Sequence, residues 1–271
     1  MSVYLTNINR PRIVRIREIR EENPTVKTFV FHDKHCAEAN SGQFVMVWVP
    51  GVDEVPMSLS SINSDGLSSI TVAKVGEATQ ALHQRKVGDI LGIRGPYGNG
   101  FTLTSGKIMI VGGGTGLVPL MSLAESLAGL SAKISFLAGA KTRDELFFLE
   151  RIKTTVSKVD VTTEDGSYGL RGIVTGLAEQ ILKNKGFDMI YACGPEKMML
   201  KMFHFAEQYN TPFQASLERY IRCGIGICGS CCIGEYRICK DGPVFSGSQL
   251  RKVKTEFGFF KREANGSKVA F

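Results

Sequence analysis

The sequence predicts a multidomain chain of mixed α and β structure: an N-terminal antiparallel β-barrel, then an α/β unit with a parallel sheet, then a small cysteine-bearing segment. Three observations carry this. The first hundred residues hold short runs rich in Val, Ile, Phe and Thr, separated by turn formers. From Lys107 onward such runs alternate with helical patterns. Near the C-terminal end, five of the chain's seven cysteines fall between Cys223 and Cys239. The boundaries are placed at 1–103, 104–213 and 214–271.

In the first part the strands are expected at 25–31, 42–50, 68–75 and 89–98, with breaks at Gly42, Pro50-Gly51, Asn63 to Gly66 and Gly88-Asp89. Short strands at this spacing suggest a barrel or sandwich, interrupted by one short helix near 78–85. In the second part "KIMIVGGG", "KISFLAGA", "KVDVTTE" and "FDMIYACG" read as buried strands. Between and after them "LVPLMSLAESLAG", "RDELFFLERIKTTV", "IVTGLAEQILKN" and "EKMMLKMFHFAEQY" read as helices. Strands alternating with helices imply a parallel sheet covered on both faces. The tail beyond the cysteines has weak periodicity, and no internal repeat or low-complexity linker is present.

Composition narrows the function classes. The chain has 271 residues, 43% of them hydrophobic and 22% charged, as an ordinary globular protein does. No apolar run reaches membrane-spanning length, and the first residues lack the apolar core of a signal peptide, so a cytoplasmic protein is expected. The net charge of +7 comes from scattered residues; "RPRIVRIREIR" at 10–20 and the tail after Arg251 are the densest groups. Without a basic stripe or a recognisable motif, neither nucleic acid nor a membrane is an expected partner.

In a reducing compartment clustered cysteines point to metal or catalysis rather than disulfides. Cys223, Cys228 and Cys231 follow C-x4-C-x2-C, with Cys239 after seven intervening residues. This is the plant-type spacing of a [2Fe–2S] cluster. Gly224, Gly226 and Gly229 would let the backbone wrap closely and turn its N–H groups toward sulfur. A structural zinc is the competing reading, but zinc ribbons pair two C-x2-C units and only one is natural here. Cys232, beside Cys231 in an extended chain, should face away from the iron. Cys36 and Cys193 would ordinarily be small buried hydrophobes.

A cluster needs a redox partner. "IVGGGTGLVPL" at 110–120 follows an apolar strand and opens a helix, where Gly112, Gly113, Gly114, Thr115 and Gly116 could take up a pyrophosphate. The loop departs from G-x-G-x-x-G, because position 117 is Leu. A tight strand–helix turn without a ligand stays open on the loop alone. Cys193, Gly194 and Pro195 end another strand on the same sheet edge, where open parallel sheets bind ligands.

Together the barrel pattern, "GGGTGLVP", "CGP" and the cysteine spacing resemble the ferredoxin reductase superfamily over the whole chain. The tail "SLERYIRCGIGICGSCCIGEYRICKDGPVFSGSQL" is similar to the electron-transfer subunit of type B dihydroorotate dehydrogenase. The resemblance implies FAD on the barrel, NAD on the α/β unit and a [2Fe–2S] cluster on Cys223, Cys228, Cys231 and Cys239. "VPMS" matches the family's Arg-Pro-x-Ser stretch, which makes Val55, Pro56, Met57 and Ser58 flavin contacts, with Ser58 near the ring. "VAKVGEAT" matches the segment holding the ring and pyrophosphate, and so implies contacts from Val72, Ala73, Lys74, Gly76, Ala78 and Thr79; "GPYGNGF" matches the strand end below the flavin. Cys193 would face the nicotinamide, making Ser58 and Cys193 the catalytic candidates. Val55 departs from the family, which commonly has Arg there as a counter-charge; Lys74 or Arg94 could stand in, though Lys has no bidentate fork. Lys141 and Arg143 would suit a 2′-phosphate, so NADP stays open beside NAD.

A nicotinamide exchanges a hydride, an iron–sulfur cluster exchanges single electrons, and a flavin does both, which gives three cofactors in one chain a chemical reason. The resemblance implies an FMN-containing catalytic subunit that oxidises dihydroorotate in pyrimidine biosynthesis, in a heterotetramer with two of each chain. A diaphorase subunit of a hydrogenase or sulfur reductase shares the same parts, and the short gap before Cys239 suits it equally. A zinc-stapled nucleotide-binding regulator is the reading from outside redox chemistry.

Overall fold

The computed structural model describes residues 8–271. Six strands close a barrel in the order β1-β2-β5-β4-β3-β6. They are β1 (Arg12–Asn23), β2 (Val26–His32), β3 (Phe44–Val49), β4 (Asp53–Ile62), β5 (Leu67–Ala73) and β6 (Ile90–Tyr97). Helix α1 (Glu77–His83) sits between β5 and β6. The barrel core is aliphatic and aromatic, with Phe29, Phe31, Val45, Val47, Leu59, Ile70 and Leu91 fully buried. Cys36 is buried there too, its thiol pushed up to about 12 by burial and then by the Asp33 carboxylate.

Two barrel strands lie outside the expected set. β1 is the basic run at 10–20: Val14 and Ile16 point inward while Arg15 and Arg17 point out, so the charges are one face of a period-2 strand. β4 contains Pro56 and many serines, a poor strand composition. It pairs with β3 as far as Phe44↔Ser58 and with β5 from Leu59↔Ile70 onward, with a bulge between Leu59 and Ser61.

Seven strands make the second sheet, in the order β10-β9-β8-β7-β11-β12-β15. These are β7 (Lys107–Gly113), β8 (Lys133–Ala140), β9 (Lys158–Thr163), β10 (Leu170–Arg171), β11 (Met189–Cys193), β12 (Phe213–Ser216) and β15 (Val244–Ser246). All neighbours are parallel except β12 with β15. Helices α2 (Leu117–Ala128), α4 (Val174–Asn184) and α5 (Glu196–Gln208) follow the expected pattern. The helix expected over 143–156 is broken instead, leaving a single turn at Arg143–Glu145 and then α3 (Leu149–Thr155). Leu146, Phe147 and Phe148 are all buried, and three consecutive side chains cannot share one helix face. The chain leaves the helix to bury them, with Phe148 at φ +63°.

The cysteine segment carries the hairpin β13 (Cys232–Ile233) and β14 (Tyr236–Arg237), then α6 (Ile238–Asp241). β15 follows it and extends the parallel sheet, so the segment is built into that sheet rather than appended to it. α7 (Gly247–Lys252) and a last hairpin of β16 (Phe260–Arg262) and β17 (Lys268–Ala270) complete the chain. Among the described residues no helix is long and apolar enough to cross a membrane.

Phe245, on β15, is fully buried and packs against Tyr236 with ring centroids 5.5 Å apart. Phe245→Ala is expected to cost about 3–5 kcal/mol and to lower the urea midpoint accordingly. An unchanged midpoint would show that β15 is not part of the core.

Candidate functional site

β7 ends in glycines, and the sheet leaves little room around them. A Cβ on Gly116 would stand 2.1 Å from the Cys193 carbonyl oxygen, so the end of β11 lies directly against the loop. Gly114 is the opposite case. Its φ is +52°, and nothing lies within 4 Å of the Cβ it lacks. The loop therefore offers backbone to open space at the start of α2, as a phosphate cradle must.

Beside it lies a cavity of about 260 Å³ whose wall comes from all three parts of the chain. The barrel contributes Pro56, Met57 and Ser58 from β4, Val72 and Ala73 from β5, and Thr79 from α1. The sheet contributes Thr115, Gly116, Cys193 and Gly194. Leu217, Arg219 and Ile221 come from the chain entering the cysteine loop. Ser58 and Cys193 thus meet at one cavity. Val55, Lys74, Gly76, Ala78, Gly112, Gly113, Gly114 and Pro195 flank this wall without lining it. Thr79 holds its turn closed, its Oγ1 accepting the N–H groups of Val75 and Gly76 at 2.9 and 2.8 Å.

Of the two cations that could replace the missing Arg at Val55, Arg94 is paired and Lys74 makes no ion pair or side-chain hydrogen bond among the described residues. Arg94 forks onto Glu54 at 2.7 and 2.5 Å, and it also reaches Tyr97 Oη and the Cys223 carbonyl. Its charge is spent inside the structure, and the Glu54 bonds raise its pKa further. Lys74 stands exposed at the end of β5. Cys193 is also electrostatically settled. Burial, then the Glu218 carboxylate, push its thiol up to about 12, with the Ser216 hydroxyl opposing. It is a neutral thiol and a poor nucleophile.

The cysteine loop shows the local logic expected of it. Gly224, Gly226 and Gly229 have φ of +75°, +78° and +77°. The Gly226 N–H donates to Cys239 Sγ at 3.1 Å and the Ile227 N–H to Cys223 Sγ at 3.4 Å. Burial opposes ionisation of Cys223, yet the N–H groups of Cys228, Ile227 and Ile225 outweigh it and bring the thiol down to about 6. Cys231 also falls to about 6, chiefly through a hydrogen bond with Cys239, which as the donor is raised. All seven cysteines are unbridged.

The Cys239 N–H donates to Cys231 Sγ at 3.5 Å, and Cys223 lies beside Cys228 and Cys231. Among the described residues no three His, Cys, Asp or Glu side chains converge as a single metal ion requires. Four sulfurs, with backbone N–H groups aimed at those of Cys223, Cys231 and Cys239, fit a cluster of two irons. Cys232 opens β13 opposite Arg237 and makes none of these bonds.

Two contacts seat this loop on the barrel. A Cβ on Gly224 would come within 3.0 Å of Met46 and 3.2 Å of Tyr97. "GPYGN" also meets "DGPV": the Asn99 N–H donates to Gly242 O at 2.6 Å, and the Val244 N–H to Asn99 Oδ1 at 3.1 Å. Sequence reasoning gave no role to Glu196 and Arg219, although both stand in stretches it singled out. Arg219, at the cavity wall, donates from Nη2 to Glu196 Oε1 at 2.8 Å.

The model of the iron-sulfur cluster binding domain of dihydroorotate dehydrogenase B matches residues 218–251, and that of the oxidoreductase NAD-binding domain matches 110–203. The chain is 46% identical to a Methanocaldococcus jannaschii protein described as "Probable dihydroorotate dehydrogenase B (NAD(+)), electron transfer subunit", over 97% of this chain and 100% of that one. A Pyrococcus furiosus protein of the same description is 41% identical over 94% and 97%. Among solved structures, an NADH-dependent reduced ferredoxin-NADP oxidoreductase, described for flavin-based electron bifurcation, superposes with a TM-score of 0.81. It is 27% identical, over 91% of this chain and 93% of that one. The flavohem-like FAD/NAD binding domain of a Vibrio cholerae nitric oxide dioxygenase shares the fold, with a TM-score of 0.65, 22% identity and coverage of 74% and 94%.

The thiol of Cys193 should stay protonated until the pH nears about 12, because burial disfavours the thiolate. Its alkylation by iodoacetamide, followed by peptide mapping, should therefore show no rise through the ordinary thiol range near about 8.5. A midpoint in that range would contradict the burial. Gly116→Ala should push the two strand ends apart and raise the Kd for NADH by about tenfold or more, measured by titration. An unchanged Kd would remove the loop from the nucleotide site.

Proposed function

The chain belongs to the family of dihydroorotate dehydrogenase B electron transfer subunits, and from that premise we propose how its residues carry electrons between a catalytic partner and NAD⁺. The observation that carries the reading is the single cavity walled by Ser58, Cys193 and Ile221, one from each part of the chain. When bound there, FAD exchanges a hydride with the nicotinamide and single electrons with the [2Fe–2S] cluster.

The protein's own residues supply place and environment. Pro56, Met57, Ser58, Val72 and Ala73 would form the barrel side of the flavin site, with Val55, Lys74, Gly76, Ala78 and Thr79 around it. Lys74 is the cation left to answer the FAD pyrophosphate. Gly112 to Gly116 would receive the NAD pyrophosphate, and the open space over Gly114 supports this. Cys193, Gly194 and Pro195 would face the nicotinamide. A neutral Cys193 thiol suits that position, since it adds no charge where hydride moves. Cys223, Cys228, Cys231 and Cys239 would hold the iron, and the N–H groups of Gly226 and Ile227 would stabilise added charge on their sulfurs.

The division at 103 and 213 then separates FAD, NAD and cluster portions, with β15 sewing the last to the second. The catalytic partner would be an FMN-containing dihydroorotate dehydrogenase subunit, assembled as two of each chain in the cytoplasm, where thiols stay reduced. The shared description of the curated relatives supports this partner over a hydrogenase or sulfur-reductase one.

Cys228→Ser is expected to abolish iron and acid-labile sulfide while retaining FAD and NADH-driven dye reduction, since hydride exchange does not use the cysteine loop. Metal analysis beside a dye assay checks this. Loss of dye reduction with FAD still bound would show the order of carriers to be wrong.

A further inference from the structure

At the cavity wall lies an ion pair that neither the glycine loop nor the cysteine spacing accounts for. Glu196 and Arg219 are each only 6% exposed. The guanidinium forks onto the carboxylate, Nη2 to Oε1 at 2.8 Å and Nη1 to Oε2. Nη1 also donates to the Glu218 carbonyl at 2.8 Å, and the Gly258 N–H gives Oε1 a further bond at 2.9 Å. The ring of Phe271 lies over the guanidinium with its centroid 5.4 Å from Cζ.

The fork joins three separate stretches of chain. Glu196 opens α5 directly after Pro195, so its backbone continues the Cys193–Gly194–Pro195 turn. Arg219 lines the cavity, and the chain runs from it through Ile221 to Cys223. Gly258 and Phe271 belong to the tail beyond β15. A buried ion pair is a weak source of stability, because desolvating two charges offsets most of their attraction. A planar fork instead supplies direction, since only one mutual orientation satisfies both of its bonds.

We propose that Glu196 and Arg219 are positioning residues for hydride transfer, fixing the Cys193–Pro195 turn against the 217–223 segment and so setting how the nicotinamide meets the flavin. This rests on the cofactor reading above. Glu196 does not line the cavity, and Arg219 reaches it as part of the wall. The pair acts through the turn on one side and the cavity wall on the other, with the Phe271 ring over the guanidinium.

The test uses the holoprotein in three variants: Glu196→Gln, Arg219→Gln and the double. Each single change strands a buried charge and lowers the melting temperature, more for Glu196→Gln because a guanidinium cannot shed its proton as a carboxylate can take one up; the double removes both charges and restores it. Stopped-flow bleaching of the flavin at saturating NADH is read beside FAD and iron content, melting temperature and calorimetric NAD⁺ affinity. The double variant should melt near the wild type, keep FAD and iron, and bind NAD⁺ almost unchanged. Its flavin should bleach about 100-fold more slowly, the loss that a displacement of about 1 Å produces. A double variant that bleaches at the wild-type rate overturns the proposal. So does one that fails to fold or loses FAD, because the pair would then be a structural support alone. Wild-type flavin that NADH does not bleach would overturn the cofactor reading itself, and this inference with it.

Discussion

Groups held on separate parts of a chain can exchange electrons only where those parts meet, and here the meeting place is set by backbone contact. Gly116 lies so close to the Cys193 carbonyl that no side chain fits between them. Gly98 is nearly as close to the Gly242 carbonyl, where a Cβ would stand at 2.4 Å. The first contact binds two strand ends into one nucleotide edge, and the second holds the cysteine segment to the barrel. Between them the cavity is left as the shared boundary of barrel, sheet and cysteine loop.

Polar ties reinforce these contacts. Arg94 joins β6 to Glu54 on β4 and to the Cys223 carbonyl, so the barrel grips the cysteine loop where it begins. On the other side, Arg151 donates to the Ser60 carbonyl at 2.8 Å and pairs with Glu125 on α2. Ser60 lies two residues from Ser58, so this tie holds the same strand that lines the cavity. With β15 paired to β12, the cysteine segment has little freedom to swing away. A rigid arrangement of this kind suits electron transfer, which loses rate steeply when positioned groups drift apart.

Much of this was legible in the sequence because it rests on local chemistry. Glycine next to an apolar strand, and cysteines at fixed spacing among glycines, announce backbone geometry directly. The alternation of strands and helices gave the parallel sheet for the same reason. What escaped depends on distant partners. β1 was hidden because its outward face carries arginines, which read as charge before they read as period. β4 changes neighbours midway and packs serines inward, with Ser60 and Ser69 bonded at 2.7 Å, so no apolar alternation marks it. The break at Phe148 follows from three apolar residues seeking one core. The Glu196–Arg219 fork joins positions 23 residues apart in the chain, and no short motif links them. Arg94 was readable as a cation, yet its commitment to Glu54 across the barrel was not.

The most direct test of the account is the composition of the protein prepared without air. It predicts about two irons and two acid-labile sulfides for each FAD, held by one chain. Material with one zinc per chain, no sulfide and no flavin would contradict it.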